Sequence, residues 1–149
     1  MKSPNLKKKY EKYKEKGIAI IGHMGSGKSL IGKLIAKELK YRFVDSDKLI
    51  EKNTQKSIKY IFQHNGEAEF RKIEEKTIIN FQNETKIVLS LGGGAILSSQ
   101  TRKLLKTHFI TVFLDIDFEI LQQRLKNSYK RPLLINENIL QKLKKLDNI

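Results

Sequence analysis

Cysteine and tryptophan are absent from this 149-residue chain, and proline occurs only twice. Without cysteine, disulfides and thiolate metal sites are excluded, and the cytoplasm is the expected location. Long apolar runs are missing too: nothing approaches the roughly 18 residues that a membrane helix needs. The N-terminus carries charge but no apolar core of a signal peptide, so no membrane partner is expected. Arginine is scarce, at positions 42, 71, 102, 124 and 131, while lysine carries the rest of a net charge of +14. Such a balance raises nucleic acid as a partner. The lysines, however, spread over predicted helix surfaces, and no aromatic-studded basic sheet accompanies them. Solvated helix faces are the plainer reading, and no nucleic-acid partner is expected.

What is present centres on Gly22-His23-Met24-Gly25-Ser26-Gly27-Lys28-Ser29. This fits the phosphate-loop pattern G-x-x-x-x-G-K-[ST]. Ile18-Ala19-Ile20-Ile21 before it reads as a buried parallel strand. Leu30, Leu34, Ile35 and Leu39 after it recur at helical spacing, placing a helix start near Lys28. Glycines let such a loop turn its N–H groups around an anion, and the helix N-terminus adds donors and partial positive charge. Lys28 is expected to reach the β- and γ-phosphates, and Ser29 to offer its hydroxyl to Mg²⁺. ATP is the expected nucleotide, contacted by Gly25, Ser26, Gly27, Lys28, Ser29 and Leu30.

At this length the chain is expected to form one domain over 17–149, behind a charged leader at 1–16 to which no function is assigned. Residues 41–44 read as a second strand ending in Asp45-Ser46-Asp47, whose carboxylates fall beside the ligand crevice of an open α/β sheet. Helices are expected over 48–53, over 57–65 with a stop at Asn65-Gly66, and over 67 to about 81. A third strand over 87–91 runs into Gly92-Gly93-Gly94, followed by a helix at 101–106, a strand at 110–114 and a helix at 118–126. Residues 127–136 read as a surface loop and 138–146 as a last helix. Alternating strands and helices predict an α/β fold, a parallel sheet with helices on both faces.

The series Gly22–Ser29, Phe43-Val44-Asp45-Ser46-Asp47, Gly66-Glu67-Ala68-Glu69-Phe70-Arg71-Lys72-Ile73-Glu74 and Leu89-Ser90-Leu91-Gly92-Gly93-Gly94-Ala95 resembles the shikimate kinase family, small P-loop kinases of the nucleoside-monophosphate-kinase type. Arg131-Pro132-Leu133-Leu134 is similar to the start of that family's lid, at about 127–137, and the substrate region falls at about 45–80. The resemblance implies phosphorylation of the shikimate 3-hydroxyl by ATP with Mg²⁺, by a protein expected to be monomeric. Shikimate itself, a ring with one carboxylate and three hydroxyls, calls for a fixed cation and a hydroxyl acceptor. Arg71 offers a bidentate fork for the acid. Asp47 can accept hydroxyl hydrogen bonds and take the proton of the attacking oxygen. Gly92, Gly93 and Gly94 are expected at the substrate, with a Gly93 N–H presented where no side chain fits. By resemblance, Asp45 holds Mg²⁺ beside Ser29, Arg124 contacts adenine, and Arg131 closes over the phosphates as a catalytic residue.

Plainer roles stand beside these. Asp45 and Asp47 suit helix N-caps, Arg71 suits a pair with Glu67 or Glu74–Glu75, and the triple glycine suits a tight turn. The family carries a second substrate arginine and a final strand after the lid. This chain ends at Ile149 with no arginine beyond Arg131, so a truncated form lacking the C-terminal strand is expected. A kinase of another polyol acid such as gluconate, and a catalytically impaired nucleotide-binding module, remain the alternatives.

Overall fold

The structure, a computed structural model, describes Tyr13 and residues 16–126. The rest of the leader, Arg131 with the expected lid, and the expected helix at 138–146 lie outside the described residues.

Side chains alternate across a strand, and here both alternating sets are apolar. β1 (Gly17–Gly22) and β3 (Ile87–Ser90) form the centre of a parallel sheet ordered β2-β3-β1-β4, with β2 (Arg42–Asp45) and β4 (Phe109–Leu114) outside them. Ile18 pairs in register with Val88 and with Ile110, and Phe43 with Val88. Ile18, Ile20, Phe43 and Val88 face one side and pack on Ile31, Ile35 and Ala36 of helix α1 (Lys28–Leu39). Ala19, Ile87 and Leu89 face the other and meet Ile78, Phe81, Leu104 and Leu105. Coverage of both faces explains why β3 is buried along its whole length.

The inward face of α1 is not the leucine stripe that its spacing suggested. Leu30, Leu34 and Leu39 are exposed, whereas Gly32 and Ala36 are buried. A Cβ on Gly32 would sit 2.6 Å from Phe43 Cε2, so the helix lies too close to the sheet for large side chains there.

Asp45 ends β2 and caps α2 (Ser46–Thr54), its Oδ1 accepting from Lys48 N–H at 3.3 Å. The helix therefore begins two residues before the expected Lys48, drawing Ser46 and Asp47 into its first turn. Ser57 caps α3 (Ile58–Ile79) by accepting from Tyr60 N–H at 3.1 Å. The expected stop at Asn65-Gly66 is a kink within α3: Gly66 has φ 81° and ψ 166°, and helix resumes at once. Ile50, Ile61 and Phe70 join α2 to α3 in a third, smaller core, separate from the two sheet cores.

After β3 a short 3₁₀ turn (Ala95–Leu97) leads to α4 (Ser99–His108), which precedes β4 and α5 (Phe118–Lys126). The Gly66 conformation is one that side-chain-bearing residues avoid, at a cost of about 1–3 kcal/mol. A Cβ there would meet nothing within 4 Å, so the whole penalty is conformational. Gly66→Ala is expected to lower unfolding free energy by about 1–3 kcal/mol in urea titrations, and an unchanged midpoint would show that the kink is not held.

Candidate active site

In a parallel sheet, ligands bind beyond the carboxyl ends of the strands, and the three segments that leave β1, β2 and β3 there carry the predicted residues. The loop after β1 ends at Gly27, left-handed at φ 93° and ψ 14°, which delivers the chain into α1 with its first-turn N–H groups facing the loop. Lys28 turns back over this loop, donating from Nζ to Gly22 O at 2.8 Å and to His23 O at 2.7 Å. Both carbonyls stand at the start of the loop, so the ammonium lies against the loop itself.

Ser26 is buried, and among the described residues its Oγ has no hydrogen-bond partner. Leu30 N–H is already committed to Gly27 O at 3.0 Å, and its side chain is exposed. From α5, Arg124 Nη1 donates to Gly25 O at 3.2 Å, which brings its guanidinium to the outer wall of the loop. Gly25 itself lies under Leu125 and Leu121 of the same helix.

Ser29 Oγ donates to Asp45 Oδ2 at 2.6 Å. Asp45 thus caps α2 with one oxygen and holds the Ser29 hydroxyl with the other. Two hard oxygen donors at the edge of a phosphate cradle suit Mg²⁺, which keeps several waters and phosphate oxygens in its shell. Among the described residues no group of three or more His, Asp or Glu forms a closed metal cage.

The glycine run joins this donor half to an acceptor half. A Cβ on Gly92 would lie 2.6 Å from Asp47 Oδ1 and 2.7 Å from Glu74 Oε1. One on Gly93 would lie 3.3 Å from Met24 N in the phosphate loop. One on Gly94 would lie 2.6 Å from Arg71 Cζ. Three successive positions therefore abut a carboxylate pair, the phosphate loop and a guanidinium, and a side chain at any of them would force these neighbours to shift. Gly92 N–H donates to Ser46 Oγ at 3.0 Å, and Ser46 is fully buried between the two aspartates.

Arg71 is set by two acids of its own helix. Nη1 donates to Glu74 Oε2 at 2.5 Å and Nη2 to Glu67 Oε1 at 3.2 Å. Among the described residues its buried Nε has no hydrogen-bond partner. The plainer pairing with Glu67 and Glu74 is thus present, yet Glu74 is only 2% exposed and the pair abuts the glycine run rather than bulk solvent. Burial pushes the Glu74 carboxyl above its ordinary range; Arg71 pulls it back, and Asp47 and Glu67 add like-charge repulsion. For Arg71, burial lowers the pKa, but the Glu74 and Glu67 carboxylates together outweigh it and the net shift is upward. The guanidinium stays charged.

The sequence reading named Asp47, Arg71 and the glycines but gave Glu74 and Ser46 no part in the site. For Glu74 a signal was available: with Phe70, Thr77 and Ile78 it occupies the buried stripe of α3, where an acid needs a partner. The structure brings together Lys28, Ser29 and Asp45 at the donor half, and Asp47, Arg71 and Gly92–Gly94 at the acceptor half.

Comparison with known proteins adds the family. The family profile described as shikimate kinase matches residues 24–148. A shikimate kinase of Rippkaea orientalis is 45% identical over 130 residues, covering 87% of this chain and 69% of its own. One of a Sulfurihydrogenibium species is 41% identical over 131 residues, covering 88% and 78%. Among solved structures, shikimate kinase from Acinetobacter baumannii in complex with shikimate superimposes with a TM-score of 0.82 at 37% identity, covering 95% of this chain and 78% of that one. With residues 24–148 matched by the family profile, this chain belongs to the shikimate kinase family.

Proposed function

We propose that this protein transfers the γ-phosphoryl group of ATP to the 3-hydroxyl of shikimate, giving shikimate 3-phosphate and ADP. The observation that carries the reading is the glycine run, which sets Asp47, Arg71 and the phosphate loop around one short turn. Arg71, paired with Glu74 and Glu67 and set against Gly94, is assigned to the substrate carboxylate. Asp47 accepts hydrogen bonds from the ring hydroxyls and takes the proton as the 3-oxygen attacks phosphorus.

On the donor side, Gly25, Ser26, Gly27 and Lys28 surround the phosphates, with Leu30 at the loop's edge. Arg124 lies beside the adenine and Arg131 acts on the transferring phosphoryl. Ser29 and Asp45 would hold Mg²⁺, which would supply positive charge to the phosphates. Transfer passes through a transition state whose charge spreads over phosphoryl oxygens, so fixed cations and N–H groups lower its energy without reorganisation. The net charge of +14 helps to draw two anionic substrates inward. No nucleic acid enters this reading, and the enzyme works as a cytoplasmic monomer; no helix among the described residues is long and apolar enough to cross a membrane.

The test is coupled ADP release with shikimate, gluconate and no acceptor, each with Mg²⁺ and with EDTA. Shikimate-dependent release that EDTA abolishes is the expected result. Faster release with gluconate would move the acceptor assignment to a linear polyol acid. Nucleotide binding without acceptor-dependent release would leave a nucleotide-binding module.

A further inference from the structure

One residue beyond Glu74, α3 makes a contact that the reaction itself does not use. Ser98 Oγ donates to Glu75 Oε2, while the same oxygen accepts from Thr101 N–H at 3.1 Å as the N-cap of α4. Ser98 follows directly on the 3₁₀ turn Ala95–Leu97, which itself follows the glycine run. A second tie comes from α4: Arg102 Nη1 donates to Ile96 O at 2.6 Å and Leu97 O at 2.9 Å. The far end of the glycine turn is thus clamped to α4 by Arg102 and to α3 by Glu75.

The clamp to α3 matters for the site because of where it falls. Arg71, Glu74 and Glu75 lie within five residues of one helix, so a fixed point at Glu75 sets the height of Arg71 and Glu74 relative to Gly94 and Gly92. Those approaches are close: a Cβ on Gly92 or Gly94 would fall within 3 Å of the Asp47, Glu74 or Arg71 side-chain ends. Apolar packing of Ala95 and Leu91 fills the space behind the turn but has no direction of its own. A charge-assisted hydrogen bond does.

We propose that Glu75 is a positioning residue: through Ser98 it registers α3 against the glycine turn, and so sets the acceptor pocket without touching substrate. The inference rests on the proposed shikimate phosphorylation for its kinetic consequence, but not for the tie itself.

Glu75→Ala removes the tie and leaves the Ser98 cap of α4 intact. Loss of one hydrogen bond to a charged acceptor is expected to raise KM for shikimate by about tenfold, with kcat and KM for ATP changed by less than about threefold. Glu75→Gln keeps an acceptor oxygen for Ser98 and is expected to restore KM to within about threefold of the parent. Amide exchange at residues 92–98 should quicken in Glu75→Ala and not in Glu75→Gln. An unchanged shikimate KM in Glu75→Ala, an equal rise in both KM values, or failure of Glu75→Gln to rescue would overturn the proposal. If the parent protein does not turn over shikimate, the functional reading fails by itself. Amide exchange then decides the tie: quickening in Glu75→Ala alone supports it, and no change sinks it.

Discussion

Asp47→Asn is expected to lower kcat for shikimate phosphorylation by about 100- to 10,000-fold, the range for loss of a positioned general base. Asparagine matches aspartate in size, so the close approach to Gly92 is kept and only the proton acceptor is lost. Nucleotide affinity should hold within about threefold, because Asp47 belongs to the acceptor half while Lys28 and Ser29 build the other. The fold should hold as well. Asp47 is among the charges that push Glu74 upward, so neutralising it eases the burial of the Glu74 carboxylate. Lys28→Ala makes a contrasting pair: it removes the cation over the phosphate loop, and both ATP affinity and turnover should fall, turnover by about 100-fold or more. Circular dichroism and urea titration check the fold of each variant. Turnover in Asp47→Asn within tenfold of the parent would remove Asp47 from the role of base.

Much of this architecture was readable because local signals and long-range packing agree. Ile18–Ile21 is apolar and β-branched at three of its four positions, the loop after it carries glycines where positive φ is needed, and β1, the loop and α1 follow in that order. Asn65-Gly66 marked a break in helix that survives as the kink of α3. Less was readable where one residue does two jobs. Asp45 both caps α2 and holds Ser29, so the helix starts at Ser46 rather than Lys48. The leucines of α1 misled for a steric reason: Gly32 brings the helix onto Phe43, and the small residues turn inward. Glu74 and Ser46 join the site through contacts with Gly92, which lies 18 residues from one and 46 from the other along the chain. Spacing along a single helix or strand carries no trace of such a meeting. Arg71 was expected at the substrate from its motif; its approach to Gly94 is a long-range feature that only the fold supplies.

The Arg71–Glu74 pair also makes the site a measurable part of stability. Arg71→Met keeps the aliphatic stem but withdraws the charge that pulls the Glu74 carboxyl back toward its ordinary range. Glu74, only 2% exposed, is then a buried carboxylate with Asp47 and Glu67 still pushing its pKa up. Breaking a buried pair by removing one partner costs about 3–5 kcal/mol. Arg71 keeps 29% side-chain exposure, so the lower end, about 3 kcal/mol at neutral pH, is expected. The pH dependence has a definite sign. A carboxyl whose folded-state pKa is raised holds its proton in the folded protein at pH values where the unfolded chain, near about 4.3, has already released it. Stability is therefore full below the ordinary glutamate pKa and declines as pH rises through the raised one. With Arg71 gone the Glu74 pKa rises further, the decline extends to higher pH, and the gap between variant and parent narrows on acidification. Urea titrations across the acidic to neutral range should show that narrowing. Arg71→Met combined with Glu74→Gln removes the stranded charge and should recover most of the lost stability at neutral pH, while shikimate turnover stays impaired because the guanidinium is still missing. A double variant no more stable than Arg71→Met would mean that the cost lies in lost Arg71 packing rather than in the buried Glu74 charge.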